Sequence, residues 1–320
     1  MALPLDASLE EYWKCTREGL DGEFDRALPH FFDRLPGCQL GAVRAVLAGG
    51  KRLRGCLVCL LNDALGGTRP AALPRAMAVE CVHAASLIHD DLVDGDTSRR
   101  NRPATWTTEG QRRAVLLADV MFATALQRMV ELSRDDGLAL ADAIATMATG
   151  AYQEQLDQPH PTWSSMDGGV DLYPRLIYLK TGVLFGTASR LGALAAGGSA
   201  QVAALAFEYG ARTGEAYQVA DDMRDLLEPA ADRPLTTAQL ALLAPAVSHF
   251  CADLPQEPSL LTPERVARLR PVLRGGMQAA IEARLQQARS AARRLPCESH
   301  GVLLATAPLH IVRTMSAAAP

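Results

Sequence analysis

The amino-acid sequence predicts an all-α protein. Apolar residues recur with the 3.6-residue period of helices in segment after segment, and no run shows the sustained alternation of a half-buried strand. The composition, with 48% apolar residues among 320, is ample for a large core. Length alone allows one large domain or two ordinary ones.

The helical segments follow one another along the chain. Residues 8–34 form a helix-rich opening, with Ser8 as the N-cap candidate and Pro36-Gly37 as a stop signal. The segment 113–132 is apolar nearly all round and is therefore expected to be buried. Further helices are predicted at about 40–48, 138–157 and 264–294, before a last segment at 297–316.

The stretch Cys81–Trp106 carries the first chemical signal. On a helix, His83, Asp90 and Asp94 share a narrow sector of one face, and Asp91 adjoins them. Like charges four residues apart weaken a helix, so folding alone gives no reason to place acids there. Oxygen ligands favour a hard cation such as Mg²⁺, which typically takes one or two protein carboxylates and completes its shell with water and phosphate.

A basic pair follows this acidic cluster. Arg99 and Arg100 offer a fork of donors to a diphosphate carried by such metal ions. The alternative interpretation is a solvated acidic helix end followed by a basic loop.

A second acidic set lies far along the chain. Gln218, Asp221 and Asp225 follow one helical stripe, with Asp222 beside them. A single Asp-Asp-x-x-Asp is a weak signal among 36 acidic residues, but two copies, each late in an apolar helix, are a stronger one. If the two helix walls face each other, they line a cavity that needs divalent cations and an anionic ligand.

Two further stretches offer cations to such an anion. In the string 49–54, Lys51 and Arg54 are expected three apart on one face, although a surface turn with solvated bases is the simpler interpretation. Lys180 lies among apolar neighbours and needs an anion, unless it snorkels at an interface. Gly182 costs a helix about 1 kcal/mol, which indicates a close approach or a local break.

The composition disfavours several other classes. A net charge of −4 offers no basic footprint for nucleic acid. Seven cysteines, an odd number in a chain without a secretory signal, indicate reduced thiols and a cytoplasmic protein. No stretch of about 18 uncharged apolar residues predicts a transmembrane segment. The sequence also offers no Ser-His-Asp or Cys-His constellation for nucleophilic catalysis.

Together these motifs resemble those of the trans-isoprenyl diphosphate synthases, in the polyprenyl synthetase family. The resemblance runs from about residue 40 to 226 and continues more weakly to the C-terminus. It rests on five elements that agree in order and spacing: Gly49-Gly50-Lys51-Arg52-Leu53-Arg54, Asp90-Asp91-x-x-Asp94, Lys180-Thr181-Gly182, Tyr217-Gln218 and Asp221-Asp222-x-x-Asp225.

This resemblance implies a fold, a reaction and partners. The fold would be a single isoprenoid-synthase helical bundle over residues 1–320 around a central cavity, in a homodimer. The reaction would be the head-to-tail condensation of isopentenyl diphosphate with an allylic prenyl diphosphate. Mg²⁺, three ions in each active site, would assist the ionisation that starts it.

The resemblance also assigns roles to residues. The metal ligands would be Asp90, Asp91, Asp94, Asp221, Asp222 and Asp225. The isopentenyl diphosphate would be bound by Lys51, Arg54, His83 and Arg100. The allylic diphosphate would be held by Arg99, Lys180 and Thr181, with Gln218 as a further substrate contact. The catalytic set would be Asp90, Asp94, Lys180 and Asp221. Outside its motif, His83 is better interpreted as a hydrogen-bonded core histidine.

Product length in this family depends on the floor of the cavity beneath the first motif. An aromatic residue five places before the first Asp stops elongation near C15, and here that place holds Ala85, followed by Ser86. The resemblance therefore favours geranylgeranyl diphosphate, C20. Three other residues could cap the cavity earlier or later: Val82, Met121 and Phe122.

One departure from the family pattern keeps two alternatives open. The loop after Asp225 is shorter than in relatives and lacks their lysines, with only Arg233 as a base, which predicts weaker stabilisation of pyrophosphate or a more open lid. A non-catalytic subunit that modulates a partner synthase would fit that loss. A class I terpene cyclase would share the fold and first motif, but the second Asp-Asp-x-x-Asp argues against it.

Overall fold

The computed structural model describes residues 8–99, 102–156, 172–227, 235–251, 261–297 and 299–316. The predicted all-α class is confirmed in this part of the chain. The helices are α1 (Leu9–Phe31), α2 (Gly37–Leu47), α3 (Leu53–Ala64), α4 (Arg69–Asp94), α5 (Thr105–Glu109), α6 (Gln111–Leu132), α7 (Arg134–Leu156), α8 (Leu172–Ile177), α9 (Val183–Ala195), α10 (Ala200–Leu227), α11 (Thr237–Phe250), α12 (Pro263–Arg294) and α13 (Gly301–Ser316). A π-helical turn, Tyr178–Gly182, separates α8 from α9.

Two short strands accompany the helices. The strands β1 (Ser98–Arg99) and β2 (Arg102–Pro103) pair antiparallel, so that Arg99 lies opposite Arg102. The hairpin follows directly on the end of α4. It therefore carries Arg99 back toward the helix that bears the first acidic motif.

The chain forms two compact units. Unit 1 comprises Met1–Ile144, Thr187–Phe207 and Leu295–Leu304, and unit 2 comprises Ala145–Gly186, Glu208–Arg294 and Ala305–Pro320. The first acidic motif lies in unit 1 and the second in unit 2. The single domain expected over residues 1–320 stays a prediction.

Unit 1 has α3 at its centre. This helix is apolar nearly all round, and Leu57, Leu60 and Leu61 are fully buried. It packs against α1 and α4, and α4 packs in turn against α6. The expected N-cap of α1 is confirmed, because the Ser8 hydroxyl accepts a hydrogen bond from the backbone N–H of Glu11.

The expectation that the segment 113–132 is buried all round is wrong within this chain. Helix α6 packs on α4 along one stripe of small residues and methionines. Its opposite face is open, with Leu116 63% and Val130 58% exposed. The buried stripe is Ala114, Ala118, Met121, Ala125 and Met129.

Unit 2 is built around an apolar cluster from α8, α10, α11 and α12. Val219, Val247 and Leu273 are fully buried at its centre. Inside the same unit, the buried carboxylate of Glu215 on α10 pairs with Arg212 and with Arg284 of α12. Charge and apolar contacts together hold α10, the helix of the second acidic motif, against α12.

One helix of the described residues, α4, is long and apolar enough to cross a membrane by length and composition. In the 18-residue segment of α4 that meets this criterion, 67% is buried inside the protein. A core helix has this composition for the same reason, because both environments exclude water.

Candidate active site

The first acidic motif occupies the C-terminal end of α4. The helix ends at Asp94, and Gly95 takes the left-handed conformation (φ 72°) that closes it. Carboxylates there face the negative end of the helix dipole, which is unfavourable unless a positive charge compensates them. Asp90 is half-buried and Asp94 exposed, whereas Asp91 points inward and is only 3% exposed.

Arg99 supplies the compensating charge. From β1 its guanidinium donates to Oδ1 of the buried Asp91. Burial raises the pKa of Asp91, and the charge of Arg99 opposes that rise. The structure therefore brings Arg99 to the first motif, as the sequence suggested, but as the partner of Asp91. Arg100, expected to bind isopentenyl diphosphate, lies outside the described residues.

The string 49–54 forms a turn before α3. Helix α3 begins only at Leu53, so the expectation that Lys51 and Arg54 share one helix face is wrong. Lys51 is exposed in the turn, and Arg54 lies in the first helical turn with 8% exposure. Arg52, in the left-handed region (φ 52°), turns inward instead.

The inward-pointing side chain of Arg52 has three partners. Its Nε lies 2.7 Å from Oδ1 of Asp21, and its Nη1 lies 3.7 Å from Oε2 of Glu80. Its guanidinium carbon also lies 5.2 Å from the centroid of the Phe24 ring, a cation–π contact. Of the bases in this string, Arg52 is thus committed to the protein interior.

Glu80 is a positioning residue that the sequence analysis missed. Its carboxylate, 4% exposed, accepts a hydrogen bond of 2.8 Å from the backbone N–H of Gly55 in the first turn of α3. A Cβ at Gly55 would lie 3.3 Å from Cγ of Glu80, so glycine permits this close approach. Glu80 therefore fixes the start of the helix that carries Arg54. The signal in the sequence was that Glu80 is an acid within the otherwise apolar stretch 76–82.

The residues expected below the first motif lie in the core of unit 1. Val82 and Ala85 on α4 and Met121 on α6 are fully buried. Ser86 and Phe122 are half-buried. His83 is also half-buried, and its backbone carbonyl accepts a hydrogen bond from the Ser86 hydroxyl.

In unit 2, the expected break at Lys180-Thr181-Gly182 is confirmed. The backbone makes its π-helical turn over these residues, and Lys180 is exposed. Close approach is confirmed as well: a Cβ on Gly214 of α10 would lie 3.0 Å from Cα of Gly182 and 2.7 Å from Cβ of Phe185. The turn thus lies backbone to backbone on α10, which sets Thr181 near the second motif.

A chain of hydrogen bonds links this turn to the second motif. The Thr181 hydroxyl donates to Oε1 of Gln218 at 2.6 Å, and Nε2 of Gln218 donates to Oδ1 of Asp222 at 2.9 Å. The hydroxyl of Tyr173 donates to the other oxygen of Asp222 at 2.7 Å. Burial raises the pKa of Asp222 to about 6, against the lowering effect of these hydrogen bonds and of the Lys180 charge.

Tyr173 was not identified from the sequence. It is 4% exposed on α8, and its ring packs against His249 and Phe250 of α11. No local pattern connects a tyrosine to a carboxylate 49 positions later. Only the packing of α8 on the apolar cluster of unit 2 creates the contact.

The other two acids of the second motif share one partner, Arg224. Its Nη2 lies 2.8 Å from Oδ1 of Asp221 and 2.9 Å from Oδ1 of Asp225. Asp221 is half-buried and Asp225 exposed. Arg224, like Arg99 in unit 1, is therefore the counter-charge of an acidic helix end.

The donor set fits a hard cation. Both motifs present carboxylate oxygens, which Mg²⁺ prefers, and neither motif has a cysteine or histidine among its acids. Within the described ranges, no three His, Cys, Asp or Glu side chains converge on one point.

Comparison with known proteins connects this arrangement to one family. The sequence matches the family model described as Polyprenyl synthetase over residues 40–233. That segment is more than half of the chain and contains both acidic motifs.

The chain belongs to the polyprenyl synthetase family.

Relatives of this chain within the family differ in the product that their names give. It is 35% identical to the geranylfarnesyl diphosphate synthase of Aeropyrum pernix over 60% of this chain and 61% of that protein. It is 34% identical to the geranylgeranyl diphosphate synthase of Methanosarcina mazei over 57% of this chain and 56% of that protein. The chain thus spans less than two thirds of these relatives.

Solved structures resemble it over nearly its whole length. The crystal structure of a polyprenyl synthase from Caulobacter crescentus, complexed with calcium and isoprenyl diphosphate, is 25% identical with a TM-score of 0.72. The likeness covers 95% of this chain and 97% of that one. It confirms the all-α isoprenoid-synthase type of fold that the resemblance implies.

The glycine contact between the π-helical turn and α10 gives a test of this packing. We expect Gly214→Ala to lower the free energy of unfolding by about 1 to 3 kcal/mol, because the new methyl group meets Phe185 and Gly182. The matched control is Gly275→Ala in α12, where a Cβ has open space. It should stabilise by up to about 1 kcal/mol. Urea denaturation measures both, and two changes of the same sign would contradict the packing.

Proposed function

We propose that this protein is a trans-prenyltransferase that condenses isopentenyl diphosphate head to tail with an allylic prenyl diphosphate. The observation that carries the proposal is the pair of acidic helix ends, each with carboxylates four residues apart and each compensated by an arginine. Membership of the polyprenyl synthetase family supports the same chemistry.

Whether a carboxylate already points inward onto protein groups decides which acids we assign to the metal sites. We assign Mg²⁺ binding to Asp90 and Asp94 in unit 1 and to Asp221 and Asp225 in unit 2, with three ions in total as the family resemblance implies. The inward Asp91 and Asp222 hold their helix ends through hydrogen bonds to protein groups. Bound Mg²⁺ supplies Lewis-acid stabilisation of the pyrophosphate that leaves.

The cationic side chains fall into two sets, one for each diphosphate. Lys51 and Arg54, on the turn that Glu80 anchors, bind isopentenyl diphosphate, with His83 of α4. Lys180 and Thr181 hold the allylic diphosphate in unit 2, and Gln218 keeps the Thr181 hydroxyl in place. Charge-assisted hydrogen bonds of this kind stabilise the negative charge that develops as pyrophosphate departs.

The reaction needs no nucleophile from the protein. Loss of pyrophosphate leaves an allylic carbocation, the double bond of isopentenyl diphosphate attacks it, and a proton is lost. The protein supplies charge for the leaving group and apolar surroundings that keep water from the cation.

A turnover assay on the purified chain tests the activity. With Mg²⁺, farnesyl diphosphate and labelled isopentenyl diphosphate, we expect a longer prenyl diphosphate. Asp94→Ala and Asp221→Ala should each lower kcat/KM at least about a hundredfold, because each removes a ligand of the leaving-group metal. The control is Asp142→Ala, which removes an exposed carboxylate of α7.

Other outcomes of the same assay would replace the proposal. A cyclised hydrocarbon would assign the chain to the class I terpene cyclases. Absence of any product would favour the non-catalytic subunit. Full activity of both aspartate variants would contradict the proposed metal sites.

We propose geranylgeranyl diphosphate, C20, as the product. Ala85, fully buried on α4, leaves no aromatic ring five residues before Asp90. Ala85→Phe should therefore shift the product to C15 or shorter, as measured by chromatography of the dephosphorylated alcohols. Ala283→Phe, at an exposed position of α12, is the control for added bulk. Unchanged product length in a folded Ala85→Phe would contradict this floor.

We propose a homodimer formed through the open face of α6, and a cytoplasmic location. Leu116, Ala123 and Val130 are exposed and recur every seven residues, so they lie on one face of the helix. Apolar residues in such a row favour burial against a second copy. Six of the seven cysteines, those whose side chains the structure describes, are free thiols, as the cytoplasm favours.

Light scattering on the eluting protein tests the dimer. The double variant Leu116→Arg/Val130→Arg should elute as a monomer, because two charges would be buried in the interface. Val272→Arg, on an exposed site of α12, should remain a dimer. A monomeric wild-type chain, or a dimer unaffected by the double variant, would refute the interface.

A further inference from the structure

Arg224 lies within the second acidic motif and contacts two of its carboxylates through one nitrogen. Nη2 donates to Oδ1 of Asp221 at 2.8 Å and to Oδ1 of Asp225 at 2.9 Å, and Nε lies 3.1 Å from the same atom of Asp225. The guanidinium therefore sits where a cation shared by these two carboxylates would bind.

Arg224 compensates an unfavourable concentration of negative charge at the end of α10. Asp221, Asp222 and Asp225 all lie in the last two turns of α10, where the helix dipole is negative. Asp222 has both oxygens engaged by Tyr173 and Gln218. Arg224 is the basic residue in the last turn, and it covers the two remaining acids.

We propose that Arg224 is a built-in counter-ion that must leave Asp221 and Asp225 before a divalent cation binds there. The inference rests on the proposed function, since it takes the second motif as a metal site. Guanidinium and metal need lone pairs of the same oxygen atoms, and their positive charges repel. The protein therefore binds the metal more weakly than its carboxylates alone would allow.

The exchange has a functional consequence. While metal is scarce, Arg224 keeps the acidic helix end neutralised and ordered. As the metal concentration rises, the ion replaces the guanidinium on the same two oxygens. Occupancy of the second motif thus rises at a higher metal concentration than it would without the arginine.

The test is a Mn²⁺ titration of the purified full-length chain, followed by loss of the electron paramagnetic resonance signal of the free ion. Mn²⁺ shares the oxygen-ligand preference of Mg²⁺. We expect Arg224→Gln to bind Mn²⁺ about three- to tenfold more tightly than wild type, as loss of two partly exposed ion pairs predicts. Arg224→Lys keeps the charge without the fork and should gain about twofold or less.

Two variants control the measurement. Arg289→Gln removes an arginine of matching exposure, 33% against 34%, whose partner is Glu282 on α12, and it should leave the affinity unchanged. Adding Asp225→Asn to Arg224→Gln should abolish the gain, which locates it at the second motif.

Each possible result bears on either the counter-ion role of Arg224 or the metal site itself. Unchanged or weaker Mn²⁺ binding by Arg224→Gln, beside saturable binding by wild type, overturns the counter-ion role and leaves the proposed function standing. An equal gain in Arg289→Gln also overturns it, because net charge alone would then explain the effect. Absence of saturable binding in both wild type and Arg224→Gln overturns the metal site, and the inference with it.

Discussion

The structure depends on keeping carboxylates together at the C-terminal ends of two long helices, where the helix dipole opposes them. Unit 1 compensates with Arg99, brought back by a hairpin onto Asp91. Unit 2 compensates with Arg224 from within the helix itself. In each motif one acid points inward and is held by protein groups, and the more exposed acids remain at the surface of the helix end. The proposed function needs this unfavourable arrangement, because the leaving diphosphate would require metal ions, which carboxylate oxygens hold well.

Within each unit, close packing sets the position of cationic groups. Glu80 binds the first turn of α3 and so places Arg54, and Gly182 against Gly214 places the turn of Lys180 and Thr181 on α10. Both devices use backbone groups and glycines, which leave little freedom for adjustment. Catalysis by electrostatic stabilisation depends on such preorganised donors, because groups that reorganise during the reaction lose much of their effect.

Local patterns predicted the parts of the molecule that local physics controls. The all-α class, the Ser8 cap, the acidic helix ends and the break at Gly182 all follow from periodicity, capping or glycine cost. Contacts between distant segments were not predictable, as with Tyr173 and Asp222. The expectation that Lys51 and Arg54 share one face was wrong because Arg52 adopts a left-handed conformation, pairs with Glu80 and Asp21, and delays the start of α3 to Leu53. The open face of α6 was missed because apolar content alone does not tell a buried helix from one with a face left open.

The most direct test of this account is anomalous diffraction from crystals grown with Mn²⁺ and inorganic pyrophosphate. The account predicts anomalous peaks on the carboxylates of Asp90 and Asp94 and on those of Asp221 and Asp225, with the guanidinium of Arg224 moved off the latter pair. Peaks absent from both helix ends, with Arg224 still bridging its two aspartates, would contradict it.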